Sequence, residues 1–320
     1  MKSISVIIPV YNAELTLADL YDQLIPVLET LAPQFEVIMV EDRGKDKSWE
    51  VIKSLSAKDK RVRGIRLSRN FGQHNALLCG IRAARYEVIV TMDDDLQNPV
   101  SEIAVLLSKF EEGFDVVYGT PDKQQHGMIR TIATQITKLV LKNAMGVETA
   151  RKVSAFRVFR EELRTAFEDY RSPFVSIDVL LTWGTTKFGT VKVKHAPRLR
   201  GRSNYTVKQL LTHAMNLLTG FSTLPLQIAS FVGFFFAVFG LGVLAWVLGR
   251  YALYGSPVAG FPFLASIIAI FSGAQLFALG IFGEYLARMH FRAMNRPAYV
   301  VAESADQVDG GEVAAVITKT

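Results

Sequence analysis

Short apolar runs rich in Ile and Val alternate with segments of helical spacing along the first third of the chain. Ser3 to Pro9 reads as a buried parallel strand, and Leu17, Leu20, Leu24 and Leu28 then mark one face of a helix over Leu15 to Leu31. The pattern repeats as strand Phe35 to Val40, helix Trp49 to Ala57, strand Val62 to Leu67, helix Asn75 to Arg85 and strand Glu87 to Met92. Strand alternating with helix at this spacing predicts a three-layer α/β domain with a mostly parallel sheet. Such sheets bind ligands beyond the carboxyl ends of their strands. Polar clusters stand at those ends: Tyr11-Asn12, Glu41-Asp42 and Asp93-Asp94-Asp95.

Further along, the pattern changes. Gly119 to Gly127 is polar and turn-rich and reads as a mobile loop. Met128 to Met145 and Val207 to Phe221 read as basic amphipathic helices, suited to a membrane surface or to packing on the domain. Pro225 to Leu248 carries no charge, which is long enough for a ~30 Å hydrocarbon core, and Phe261 to Phe282 is a second such stretch. Arg198, Arg200, Arg202 and Lys208 precede the first span; Arg288, Arg292 and Arg296 follow the second. The positive-inside rule then places both ends in the cytoplasm, with a short outer hairpin. The N-terminus does not read as a signal peptide, since its apolar stretch is short and meets Pro9 and a polar helix. From Glu303 the tail is polar and is expected to be disordered. The expected division is a catalytic domain over 1–206, an interfacial helix over 207–224, a transmembrane hairpin over 225–287 and a cytoplasmic tail over 288–320.

Composition adds two limits. The net charge of +6 suits phosphate substrates, anionic lipid or nucleic acid, but no interleaved basic and aromatic patch of the nucleic-acid-reading kind is present. The single cysteine, Cys79, excludes an intramolecular disulfide and a Cys-built zinc site.

The acid triplet is the main chemical signal. Crowded carboxylates after a buried strand repel one another without a cation, and alternation would turn Asp93 and Asp95 to the same side. Oxygen ligands suit Mg²⁺ or Mn²⁺ held by one or two carboxylates and substrate phosphates. By itself the triplet also fits a phosphatase or a nucleotidyltransferase. No phosphate loop, dinucleotide fingerprint, nucleophile elbow or zinc-protease motif occurs.

The remaining motifs are Ser5-Val6-Ile7-Ile8-Pro9-Val10-Tyr11-Asn12, Val40-Glu41-Asp42, Leu67 to His74 (reading LSRNFGQH) and Asp93 to Pro99 (DDDLQNP). Later come Ser154-Ala155-Phe156-Arg157, Arg198 to Tyr205, and Gly283-Glu284-Tyr285-Leu286 with Arg296-Pro297. Together they resemble the family 2 glycosyltransferases of GT-A fold, and among these the polyprenyl-phosphate sugar transferases. That group includes dolichol-phosphate mannose synthase, the bactoprenol glucosyltransferases and the undecaprenyl-phosphate formamidoarabinose transferase.

The resemblance implies roles. Pro9, Tyr11 and Asp42 would line the nucleotide pocket, with Asp93 beside the donor. Asp95 would be the metal ligand, and Gln97 would sit by the metal and phosphates, making Asp93, Asp95 and Gln97 the catalytic set. Arg130, Arg157 and Arg198 would gather the donor pyrophosphate or the acceptor phosphate, with Ser203 and Tyr205 in the closing segment. The implied reaction is inverting transfer from a nucleotide sugar, UDP favoured, to undecaprenyl or another polyprenyl phosphate at the cytoplasmic membrane face. Homo-oligomers, tetramers in particular, are a property of the family. This chain departs from the common pattern at Arg43-Gly44, where relatives read Gly-Ser, at Pro121 and Gln124 for arginines, at Asn204 for Lys and at Ala155 for Gly. Two other readings are a processive polysaccharide synthase, which usually carries a Gln-x-x-Arg-Trp segment that Trp183 does not provide, and a non-catalytic sugar-lipid scaffold or flippase subunit.

Overall fold

The computed structural model describes residues 2–121, 153–196, 224–255 and 261–306. They fall into two compact units, Met1–Thr212 with Asn295–Thr320, and His213–Met294. The expected amphipathic helices over 128–145 and 207–221, and most of the loop after Gly119, lie outside the described residues.

In the first unit, β1 (Ile4–Val10), α1 (Leu17–Leu31), β2 (Phe35–Glu41), α2 (Ser48–Lys58), β3 (Val62–Leu67), α3 (Gln73–Ala83) and β4 (Val88–Thr91) follow in the expected order. Then come α4 (Glu102–Glu111), β5 (Val116–Pro121), β6 (Arg157–Arg160), a 3₁₀ helix (Glu161–Phe167), α5 (Ile177–Gly184) and β7 (Phe188–Val193). Gly119 to Pro121, expected in a loop, continue β5 because they pair with Val191 to Val193 of β7. The last strand, β8 (Val301–Ala305), follows the second unit. Among the described residues one mixed sheet runs β7-β5-β6-β4-β1-β2-β3-β8. The centre β4-β1-β2-β3 is parallel, while β6 and β8 run antiparallel to their neighbours.

The period of two along each strand sorts the core into layers. Val6, Ile8, Val37 and Met39 join the buried cluster that holds Leu20 and Leu24 of α1, Ile52 of α2 and Leu106 of α4. On the opposite face α3 lies over Ile7 and Val40 at Gly80, where an added Cβ would collide with the Ile7 side chain. The absence of a Cβ is what lets this helix sit so close to the sheet.

Glu303 to Ala305, expected to belong to a disordered tail, instead complete β8, antiparallel to β3 in the register Gly64↔Ala305, Ile65↔Ser304 and Arg66↔Glu303, while residues 307–320 of that tail lie outside the described residues. Side chains fasten it: Trp49 Nε1 donates to Glu303 at 2.9 Å, Ser56 Oγ to the Ala305 carbonyl at 2.7 Å and Arg63 Nε to Asp306 at 2.8 Å. A polar segment gains an ordered place here because the edge of β3 offers unpaired backbone groups.

The second unit contains α6 (Leu224–Tyr254) and α7 (Phe261–Ala293). Within them Pro225–Tyr254 and Ile270–His290 are long and apolar enough to cross a membrane. Large apolar side chains such as Phe231, Phe234, Leu241 and Leu279 are exposed along them, a surface that water does not favour. Phe271 of α7 stacks edge-on against Phe236 of α6 at 5.7 Å and reaches Gly240. Helix α7 ends through Asn295 in a left-handed conformation, φ 48°, with Pro297 just beyond.

Candidate active site

Three strand-end loops each turn on a non-glycine residue of positive φ: Asn12 at 54° after β1, Arg43 at 55° after β2 and Leu96 at 57° after β4. Such a conformation is unusual for Arg and uncommon for a branched residue like Leu. Clusters of this kind mark functional loops held by their surroundings. Here the surroundings form a closed ring of hydrogen bonds.

The ring starts at Asn12, whose Oδ1 accepts from Lys45 N at 2.7 Å, joining the loops after β1 and β2. Asp42 accepts from Phe71 N and Gly72 N, both at 2.7 Å, joining the loops after β2 and β3. Gln73 Nε2 donates to Asp93 Oδ1 at 2.7 Å, joining β3 to β4. Tyr11 N donates to Asp94 Oδ2 at 3.2 Å and closes the circle to β1. Side branches stiffen it: Glu41 accepts from Gly44 N and from Arg66 Nε, and Ala13 N donates to Ser48 Oγ. Carboxylates therefore do most of the stitching, through charge-assisted bonds that are stronger than neutral ones.

The strand itself ends at Thr91, so strand alternation does not extend to Asp93 and Asp95 as expected. Asp95 instead takes Gln97 N at 3.1 Å, making a local turn around Leu96. The Gln97 carbonyl accepts from Ala196 N at 2.8 Å, which ties this turn to the segment after β7. Burial pushes the Asp94 carboxyl up to about 7, with Asp93 and Asp95 adding to the rise. Burial likewise raises Asp42 to about 6, against the lowering effect of its two backbone donors. Among the described residues no three acidic, histidine or cysteine side chains form a metal cage. The donor set still fits a hard divalent cation, which takes one or two carboxylates and completes its shell with substrate phosphates and water. The repulsion among Asp93, Asp94 and Asp95, which adds to the effect of burial at Asp94, is what such a cation would relieve.

Of the other expected residues, Pro9 is buried at the end of β1 opposite Val40, beyond the stretch of β1 that pairs with β4. Tyr11 keeps 41 % of its surface exposed beside the ring of hydrogen bonds. Arg157 is only 1 % exposed: its guanidinium pairs with Asp178, and its Nε donates to Thr91 Oγ1 at 3.1 Å. Tyr118 OH donates to the same Asp178 carboxylate at 3.1 Å. Arg157 is thus committed to partners beneath the triplet, not presented to an incoming phosphate. Arg130, Arg198, Ser203 and Tyr205 lie outside the described residues. Gln73 and Asn12 were missed as site residues, although both stand inside motifs legible in the sequence. Their roles depend on which loops become neighbours.

A parallel sheet with acid-lined loops at its carboxyl edge now has a sequence match: the model of glycosyl transferase family 2 covers residues 5–164. The chain belongs to glycosyl transferase family 2. It is a glycosyltransferase, with the GT-A-like mixed sheet just described. Undecaprenyl-phosphate 4-deoxy-4-formamido-L-arabinose transferase of Shewanella sediminis is 32% identical over 303 residues, 94% of this chain and 92% of that protein. The protein of the same name from Photorhabdus laumondii is 33% identical over 306 residues, 94% of each chain. Among solved structures, glucosyl-3-phosphoglycerate synthase from Mycobacterium tuberculosis, in complex with Mn²⁺, UDP-glucose and phosphoglyceric acid, superposes with TM-score 0.51. It is 17% identical and covers 68% of this chain and 78% of its own, a likeness of fold.

Proposed function

We propose that this family 2 glycosyltransferase moves a sugar from a nucleotide donor, UDP favoured, onto a polyprenyl phosphate at the cytoplasmic face of a membrane, with inversion at the anomeric carbon. The observation that carries this reading is the ring of loops around Asp93, Asp94 and Asp95 in a chain that also has two helices long enough to span a membrane. The full-length likeness to undecaprenyl-phosphate sugar transferases supports the acceptor.

In this reading Tyr11 offers its exposed ring to the base, Pro9 shapes the floor and Asp42 fixes the loop that receives the ribose or base. Asp93, held by Gln73, lies beside the donor. Asp95 would hold Mg²⁺ or Mn²⁺ together with the donor phosphates, and Gln97 would stand next to them. The chemistry a bound divalent cation supplies is neutralisation of charge on the departing diphosphate. An acceptor phosphate oxygen forms the new bond to C1 while the bond from C1 to the nucleotide diphosphate breaks. That nucleophile is anionic at neutral pH, so orientation and electrostatics carry the rate without a strong general base. Arg130 and Arg198, with Ser203 and Tyr205, are assigned to the donor and acceptor phosphates from the family pattern. Arg157 is assigned to positioning the floor under the triplet. Arginines before the first span and after the second support the cytoplasmic side for the catalytic domain and the segment after the second span.

The test is label transfer by the full chain in detergent, from a panel of UDP and GDP sugars that includes a formamido-pentose, to undecaprenyl phosphate. Lipid-linked product that needs Mg²⁺ or Mn²⁺ and disappears in Asp95→Ala is the expected result. Full activity of Asp95→Ala would sink the metal assignment, and a lipid-free polymer would sink the acceptor.

A further inference from the structure

The returning C-terminal segment walls a cavity of about 580 Å³ against β3 and α3. It runs along β3, from Arg63 near the start of that strand to Val301, which stands opposite Leu67 at its end. Four arginines line it, Arg63, Arg82, Arg85 and Arg164, against one carboxylate, Asp306. The rest of the wall is partly apolar, with Ile65, Cys79, Val300 and Val301.

The arginines are not equally satisfied. Arg63 is held between Glu36 and Asp306 at 2.8 Å each. Arg164 pairs with Glu161 and donates to the Ala84 carbonyl at 2.8 Å. Arg85 is exposed, its guanidinium 3.6 Å from Asp306. Arg82 has no carboxylate partner among the described residues: one nitrogen donates to the Glu168 and Tyr170 carbonyls at 2.7 and 2.8 Å. Its Nε is buried and closed to the cavity, so the rest of the Arg82 guanidinium is what the cavity can meet. An oxyanion there would neutralise Arg82, since hydrogen bonds to a charged group are stronger than neutral ones, while the apolar wall suits a hydrocarbon attached to it.

Asn295 and Pro297 complete the wall. A basic pocket with an apolar lining is of the kind that takes an anionic head group.

We propose that this cavity is a second site, distinct from the acceptor site, that binds a phosphate ester bearing an apolar tail, of the kind an anionic phospholipid presents. The experiment is calorimetric titration of the full chain in detergent with dihexanoyl-phosphatidylglycerol, dihexanoyl-phosphatidylcholine and inorganic phosphate. Arg82→Gln removes the guanidinium that no carboxylate meets among the described residues. Ser304→Trp fills the cavity from the exposed edge strand, and so remains informative if Arg82→Gln fails to fold. Phosphatidylglycerol is expected to bind, and each variant to weaken it about tenfold, the loss of one charge-assisted hydrogen bond or of the cavity that presents it. Inorganic phosphate binding as tightly, with the same loss in the variants, would keep the anion site but overturn the lipid source. Equal binding of phosphatidylcholine, or of phosphatidylglycerol to wild type and both variants, would overturn the proposal.

Discussion

Gln73 Nε2 lies 2.7 Å from Asp93 Oδ1, so the first residue of α3 steadies the first acid of the triplet from across the sheet edge. The bond fixes one carboxylate oxygen of Asp93. Gln73→Ala should lower kcat about 10- to 100-fold, the worth of a hydrogen bond to a charged group, with unfolding temperature nearly unchanged. Gln73→Glu should be at least as damaging, because it sets like charges together. Steady-state transfer assays and thermal unfolding in detergent check both, and an unimpaired Gln73→Glu enzyme would remove this link from the site.

Asp42 gives a pH signature. Its pKa is raised from 3.8 to about 6 by burial, so the fold favours its protonated form. Its contribution to stability is therefore full below pH 3.8 and is lost as pH rises through about 6. Donor binding runs the other way, since an ionised carboxylate is the better acceptor for the loop and the nucleotide. UDP affinity should fall several-fold as pH drops through about 6 in the wild type and stay flat in Asp42→Asn, as calorimetry at a series of pH values would show.

Arg43 holds φ 55° on an exposed loop. Glycine adopts that conformation freely, so Arg43→Gly should raise stability by roughly 0.5–1 kcal/mol, the strain relieved less the added unfolded-state entropy. Chemical unfolding measures the gain. If donor KM rises in the same variant, the strained arginine is retained for binding.

The buried pair of Arg157 and Asp178 sits beneath Thr91 and the triplet. Arg157→Met leaves the Asp178 charge buried without its partner and should cost about 3–5 kcal/mol. Arg157→Met combined with Asp178→Leu should recover much of that loss. A double-mutant cycle on unfolding midpoints tests the coupling, and additive losses would show that the pair does not act as one.

Glu303 accepts from Trp49 Nε1 at 2.9 Å and lies 3.3 Å from Arg66. Through Arg66 it connects to Glu41 and the loop after β2. Ending the chain after Pro297 should lower the unfolding temperature, red-shift the Trp49 emission and promote association through the bared edge of β3. Glu303→Ala in the full chain should produce the fluorescence change with little association.

Much of this architecture follows from local pattern. The short apolar runs of Ile4–Val10 and Phe35–Glu41, and the helical spacing of Leu17, Leu20, Leu24 and Leu28, fix strands, helices and their order, because run length and spacing are local properties of the sequence. The parallel sheet in turn brings Tyr11, Asp42 and Asp93 to one edge, and the lengths of the uncharged stretches declare two helices fit for a bilayer. The tertiary structure alone decided what those residues do to one another. Gln73 reaches Asp93, and Asp42 reaches Phe71 and Gly72, only once β3 and β4 flank β2 and β1. Arg157 reads in sequence as an available cation, yet folding seals it against Asp178. Glu303 to Ala305 read as disorder, yet the open edge of β3 gives them a strand to pair with. In each case the deciding partner is distant in the chain, and the energy of the contact depends on burial and geometry that no local window contains.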